Sequence, residues 1–183
     1  KVIRAELHEP GLYHLHLEAF KPRTKFRWSA DSARMLTSPN GGGSSLWSEV
    51  LSLELLARAF GARLEKTEME LRYHAGSKIT DYAVSIFGRH HVGVSVTRAM
   101  TWPRSEPLDA ASCRRLLFKK LDAIQVSSRN VLNHAWLKQI LLVWVRSPRE
   151  AQLVEHEYHG LPDHLKANSV VLIAACPNIT RLF

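Results

Sequence analysis

The spacing of hydrophobic and polar positions changes several times along this chain, and each change marks an element. Across residues 2–20, Arg4, Glu6 and His8 alternate with apolar neighbours, Pro10 and Gly11 supply a turn, and 13–20 alternates again. That period of two predicts an antiparallel hairpin. Leu46, Val50, Leu53, Ala57 and Phe60 then recur at helical spacing, with Ser45 placed as an N-cap and Gly61 as a stop, which predicts a helix over 46–60. Three strand-like segments follow at 63–73, 78–87 and 91–100, joined by turns at Ala75-Gly76-Ser77 and Gly88-Arg89, and they read as a meander. After Pro103 and Pro107 the helical period returns over 108–126, with Cys113, Leu117, Leu121 and Ile124 on one face and Arg115 and Lys119 on another.

The last third carries two unbroken apolar runs, 139–145 and 170–175, of the kind that forms strands buried on both faces. Between them Ser147, Pro148 and Glu150 mark the start of a short helix reaching about residue 158. The expected fold is therefore α/β: a mixed central sheet with flanking helices, an αβββαβ core over 45–175, and an N-terminal β-hairpin and basic loop over 1–44. A length of 183 residues with 45% hydrophobic and 23% charged positions suits one domain with one core. The apolar runs are far shorter than the ~20 residues that span a bilayer, so no membrane partner is expected. Cys113 and Cys176 sit in apolar segments without metal-like spacing, which predicts reduced thiols and an intracellular setting, nucleus or cytoplasm.

Charge alters this picture more than composition does. Lys and Arg number 25 against 17 Asp and Glu, a formal +8 that attracts phosphates. Lys21, Arg23, Lys25 and Arg27 interleave with Phe26 and Trp28, the composition of a groove that tracks phosphates and stacks bases, and Arg114, Arg115, Lys119 and Lys120 form a second cluster. Solvated surface is the plainer reading of both. His14 and His16 share a strand face, yet no third ligand accompanies them. The glycine-rich stretch from Asn40 to Ser45 precedes a helix but lacks the lysine of a P-loop, and neither a nucleophile elbow nor a dinucleotide fingerprint is present.

Two acids stand out: Glu49 in Trp47-Ser48-Glu49-Val50, at the head of the first long helix, and Asp81 before Tyr82, in the second meander strand. With the element order, they make the chain resemble the PD-(D/E)XK, or restriction-endonuclease-like, nuclease superfamily over about residues 45–175. The resemblance implies that Glu49 and Asp81 hold Mg²⁺ and that a (D/E)xK pair on the third strand completes the site. Here Ser95 and Thr97 stand where that pair belongs, and hydroxyls replace neither charge. Arg98, Glu68 or Glu70, and Lys78 are the residues that could repair it. Without any such site, Glu49 is a helix-dipole acid and Asp81 a turn-flanking one.

Three functional readings follow. The first is a nuclease-like domain that binds DNA or RNA through its basic surface and has a degenerate metal site. The second is an active Mg²⁺-dependent phosphodiesterase. The third is a structural subunit that binds a protein partner, for which Trp28, Trp47, Trp102, Trp136 and Trp144 would supply apolar surface. The geometry expected for the first two has Glu49 and Asp81 on one side of the sheet, facing a cleft floored by Ser95 and Thr97.

Overall fold

A computed structural model describes residues 9–17, 27–41, 45–101, 106–136 and 138–177. Lys21, Arg23, Lys25, Trp102 and the first half of the expected hairpin lie outside the described residues.

The two apolar runs form the centre. Strands β5 (Lys138–Val145) and β6 (Ser169–Ala175) are buried along their whole length. Ile140, Leu142, Val170 and Leu172 pack into one core layer, and Leu141, Val143, Val171 and Ile173 into the other. Such strands must be covered on both faces. On one side lie α1 (Ala30–Thr37) and α2 (Leu46–Phe60), which bring Met35, Val50, Leu53 and Leu56 to the sheet. On the other lie α3 (Ala110–Asn130), α4 (Pro148–His159) and the single turn α5 (Asp163–Lys166), which bring Cys113, Leu117, Leu121, Val154 and Leu165.

The meander supplies β2 (Arg63–Thr67), β3 (Tyr82–Ile86) and β4 (His90–Arg98), and β1 (Gly11–His16) completes a six-stranded sheet of order β1-β6-β5-β4-β3-β2. Strands β4, β5, β6 and β1 run parallel, and β3 is antiparallel to both neighbours. The α/β class and the mixed sheet agree with the sequence.

Several boundaries do not. Gly11 opens a strand rather than closing a turn, and that strand pairs in parallel with β6, from Gly11 with Val170 to His16 with Ala175. The apolar β6 needs a partner on its outer side, and Tyr13 and Leu15 enter the core from there. The first meander strand stops at Thr67, because Thr67 and Glu70 form a capping box around a 3₁₀ turn, Glu68–Glu70. Tyr73 keeps only a lone bridge to Val131. The polar stretch after Trp28 holds α1, whose Ser29 hydroxyl accepts the Ser32 N–H at 3.2 Å. Both cysteines are buried and free, and burial pushes the Cys113 thiol to about 12 and that of Cys176 to about 11. Among the described residues no helix is long and apolar enough to cross a membrane.

Candidate functional site

The site originates in unequal strand lengths. The last β3–β4 pair at this end of the ladder is Tyr82 with Val94, while β4 runs on to Arg98. Val96 therefore has backbone groups on the β3 side with no strand opposite, and buried backbone groups require partners. The Asp81 carboxylate accepts the Val96 N–H at 2.5 Å, and the Lys120 ammonium, reaching in from α3, donates to the Val96 carbonyl at 3.2 Å. A carboxylate and an ammonium thus close the fork between β3 and β4.

Glu49 approaches from the other helical layer. The first turn of α2 is fixed to the sheet by the Trp144 indole N–H, which donates to the Ser48 carbonyl at 3.0 Å. One turn on, the Ser52 hydroxyl donates to the Glu49 carbonyl and shares a 2.6 Å hydrogen bond with the Tyr82 hydroxyl. Glu49 itself is 7% exposed. Burial and then the negative charge of Asp81 push its carboxyl from 4.5 up to about 7, with Glu68 adding to the effect and Ser45 and Lys120 opposing it. Burial also raises the Asp81 carboxyl; Glu68 reinforces the rise, while Lys120 and the Val96 N–H work against it.

Glu68 is the third acid in this field. It stands on the 3₁₀ turn after β2, and its carboxylate accepts the Gly41 N–H at 3.1 Å. Its neighbour Glu70 is committed elsewhere, to Arg34 at 2.6 and 2.7 Å and to the Thr67 N–H at 2.8 Å. Lys78 lies exposed. Three carboxyl groups and one ammonium, Glu49, Glu68, Asp81 and Lys120, thus share one electrostatic environment.

Ser95 and Thr97 are buried, but they do not floor a cleft on the Glu49 side. Val94 and Val96 pack with α2, and strand alternation turns Ser95 and Thr97 to the α3 layer. The expected one-sided cleft is corrected to a site at the strand fork, entered from both layers. Alternation likewise leaves Arg98 on the face opposite Ser95 and Thr97. Lys120 is the candidate site residue that sequence reading placed only in a surface cluster. It lies on the shoulder of the α3 stripe, between Leu117 and Leu121, and is half-buried.

Of the basic candidates, Arg115 and Lys119 are exposed on α3, one turn apart and leading to Lys120. Arg114 is paired with Glu157 at 2.7 Å. Arg27 is exposed and its carbonyl accepts from Arg58, whereas Trp28 packs against the α1–α2 core with its ring 6.1 Å from that of Trp47. His14 and His16 stack at 6.3 Å, with His14 3.2 Å from Glu155.

The chain is 41% identical over 166 residues to a protein of Dictyostelium discoideum called AAC-rich mRNA clone AAC4 protein. The match covers 87% of this chain and 24% of that protein, so the chain spans about a quarter of the length of the curated relative it matches. No known family profile matches the chain, and no solved structure does.

Proposed function

We propose that this chain is a nuclease-like, nucleic-acid-binding domain whose metal site is rearranged rather than lost, and that it hydrolyses phosphodiesters with a divalent cation. The observation that carries the reading is the strand fork, where the Asp81 carboxylate and the Lys120 ammonium meet on the Val96 backbone beside the buried Glu49. Burial raises the carboxyls of both acids, with Asp81 and Glu68 adding to the rise at Glu49 and Glu68 to that at Asp81. Strongly perturbed acids cluster at functional sites. Glu49, Asp81 and Glu68 offer the oxygen donors that Mg²⁺ or Mn²⁺ prefers, and the repulsion among them is what a divalent charge relieves. Such a cation supplies charge for phosphoryl oxygens and makes a nearby water more acidic.

The residues of the chain do the rest. Lys120 places its ammonium at the same fork, where the resemblance to PD-(D/E)XK nucleases calls for a lysine from the third strand. Glu68 offers the carboxylate that Ser95 and Thr97 cannot. The element order α2, β2, β3, β4, α3, β5 also follows the αβββαβ core that the resemblance implies. Arg115 and Lys119 would guide a phosphate backbone along α3 toward Lys120.

The test is incubation of the purified chain with single- and double-stranded DNA and RNA, in Mg²⁺ or Mn²⁺ and in EDTA. Cleavage that needs the metal and falls by at least ~100-fold in Asp81→Asn and in Lys120→Ala is expected. Binding without cleavage would return the domain to a degenerate, binding-only role. Cleavage unaffected by Asp81→Asn would sink the assignment of residues.

A further inference from the structure

A second group of side chains lies at the opposite end of β4. His91 is the second residue of the strand and Val96 lies five residues further on, so the two places are about 17 Å apart along it. Here Glu65, His91 and His134 come together, with one ligand atom from each within 4.8 Å of the others. His91 Nδ1 is 2.9 Å from both Glu65 carboxylate oxygens, and His134 Nε2 is 2.9 Å from one of them. The three come from a sheet-edge strand, from β4 beyond its neighbour, and from the loop after α3, 69 residues from Glu65.

The place is preformed. The Asn133 side chain donates to the Glu70 carbonyl and accepts the Arg72 N–H, each at 2.9 Å, and Leu132 N–H donates to the Arg72 carbonyl at 2.8 Å. The His134 ring meets the Trp136 ring edge-on at 5.9 Å, and Trp136 lies so close over Gly93 that a Cβ there would stand 2.9 Å from the indole. Gly93 shares a face with His91 by alternation, so the loop carrying His134 is pressed against the strand carrying His91. The side chains are graded in access: His134 is 16% exposed, Glu65 22% and His91 51%.

We propose that Glu65, His91 and His134 form a binding site for a divalent transition-metal ion, Zn²⁺ by its chemistry. Two imidazoles and a carboxylate are a recurrent protein set for Zn²⁺, with ligand distances near 2.0 to 2.2 Å, and imidazole ligands disfavour Mg²⁺ and Ca²⁺. Around a shared tetrahedral ion such atoms stand roughly 3.3 Å apart, close to the 2.9 Å that now separates each ring nitrogen from the Glu65 carboxylate, and binding would replace the protons that now join the rings to the carboxylate. The exposed side at His91 leaves a coordination position for water. The ion would fasten the 131–136 loop to the edge of the sheet. The inference is independent of the phosphodiesterase reading, since it shares no residue with the acid site.

The experiment uses the purified chain, stripped with a chelator and titrated with Co²⁺ followed in the visible spectrum and with Zn²⁺ followed by calorimetry. Intense bands of low-coordinate Co²⁺ that saturate at one equivalent, and one equivalent of tightly bound Zn²⁺, are expected, undisturbed in the double variant His14→Ala, His16→Ala. His134→Ala should remove the bands, and His91→Gln should weaken affinity by more than about 100-fold, because loss of even an outer partner of a metal site typically costs 10- to 100-fold. If His134→Ala does not fold by circular dichroism, the half-exposed His91→Gln decides alone. Absence of these bands in the native chain overturns the proposal, as do bands that survive the cluster variants or disappear with the His14, His16 changes.

Discussion

At the scale of single residues, Glu49 is where burial and charge disagree most. Its folded carboxyl titrates near 7 against an ordinary 4.5. Between those values the native state keeps a proton that the unfolded chain has lost, so stability falls as pH rises through that window and stays level above it. Asp81 is shifted in the same direction and adds to the fall. The contribution of Glu49 is about 3 kcal/mol at most. Glu49→Gln, neutral at every pH, should therefore gain on the order of 1–3 kcal/mol over the native chain at pH 8 and less than about 1 kcal/mol at pH 5, as read by urea denaturation. The same protons must leave before a cation can bind, so Mg²⁺ or Mn²⁺ should stabilise the native chain more at pH 8 than at pH 6 and leave Glu49→Gln little changed. Thermal melts with and without metal check this, and equal metal stabilisation at both pH values would count against the acids as ligands.

At the scale of elements, much of this arrangement was legible in the chain. The bounds of α2, 46–60, follow from its apolar stripe and from Gly61, which takes the left-handed φ of 63° that ends helices. Strands β5 and β6 follow from their unbroken apolar runs. Asp81 was visible because Asp is disfavoured within a strand-like run such as 78–87, and Glu49 because the resemblance pointed to it; β3 itself begins one residue later, at Tyr82. Lys120 was not, since a lysine on a helical shoulder looks the same whether its ammonium meets water or a strand end. Glu65, His91 and His134 were hidden for another reason: only the fold makes neighbours of three residues on two strands and a loop. Helix α1 escaped because its eight residues carry too short an apolar pattern, though Ser29 and Asp31 are fair start signals. The fastening of α2 is testable. Trp144→Phe leaves the buried Ser48 carbonyl without its indole donor and should cost roughly 1–3 kcal/mol, with hydrogen-exchange protection reduced first in the turn that carries Glu49. Gly93→Ala, which drives a methyl into Trp136, should cost about 1–3 kcal/mol and loosen the loop bearing His134.

At the scale of the whole molecule, the +8 charge decides little until it is placed. Some of the cations are already paired: Arg34 with Glu70, Arg63 with Asp31, Arg114 with Glu157 and Lys166 with Asp163. Arg115 and Lys119 differ in position, because they are exposed on the helix that delivers Lys120 to the strand fork. A phosphate chain lying along α3 would meet them in sequence before reaching the acids. Each phosphate contact releases condensed counterions, so affinity for duplex DNA should fall with salt on a log–log slope of about −0.9 per contact. The double variant Arg115→Ala, Lys119→Ala should therefore flatten that slope by about 2 and weaken binding similarly for all sequences, while Asp81→Asn should leave the slope unchanged or steepen it by removing a negative charge. Fluorescence anisotropy with labelled duplexes over a range of salt measures this directly. Were the slope identical in the native chain and the double variant, α3 would not be the approach for nucleic acid, and the basic residues nearest the acid site would be ordinary solvated surface.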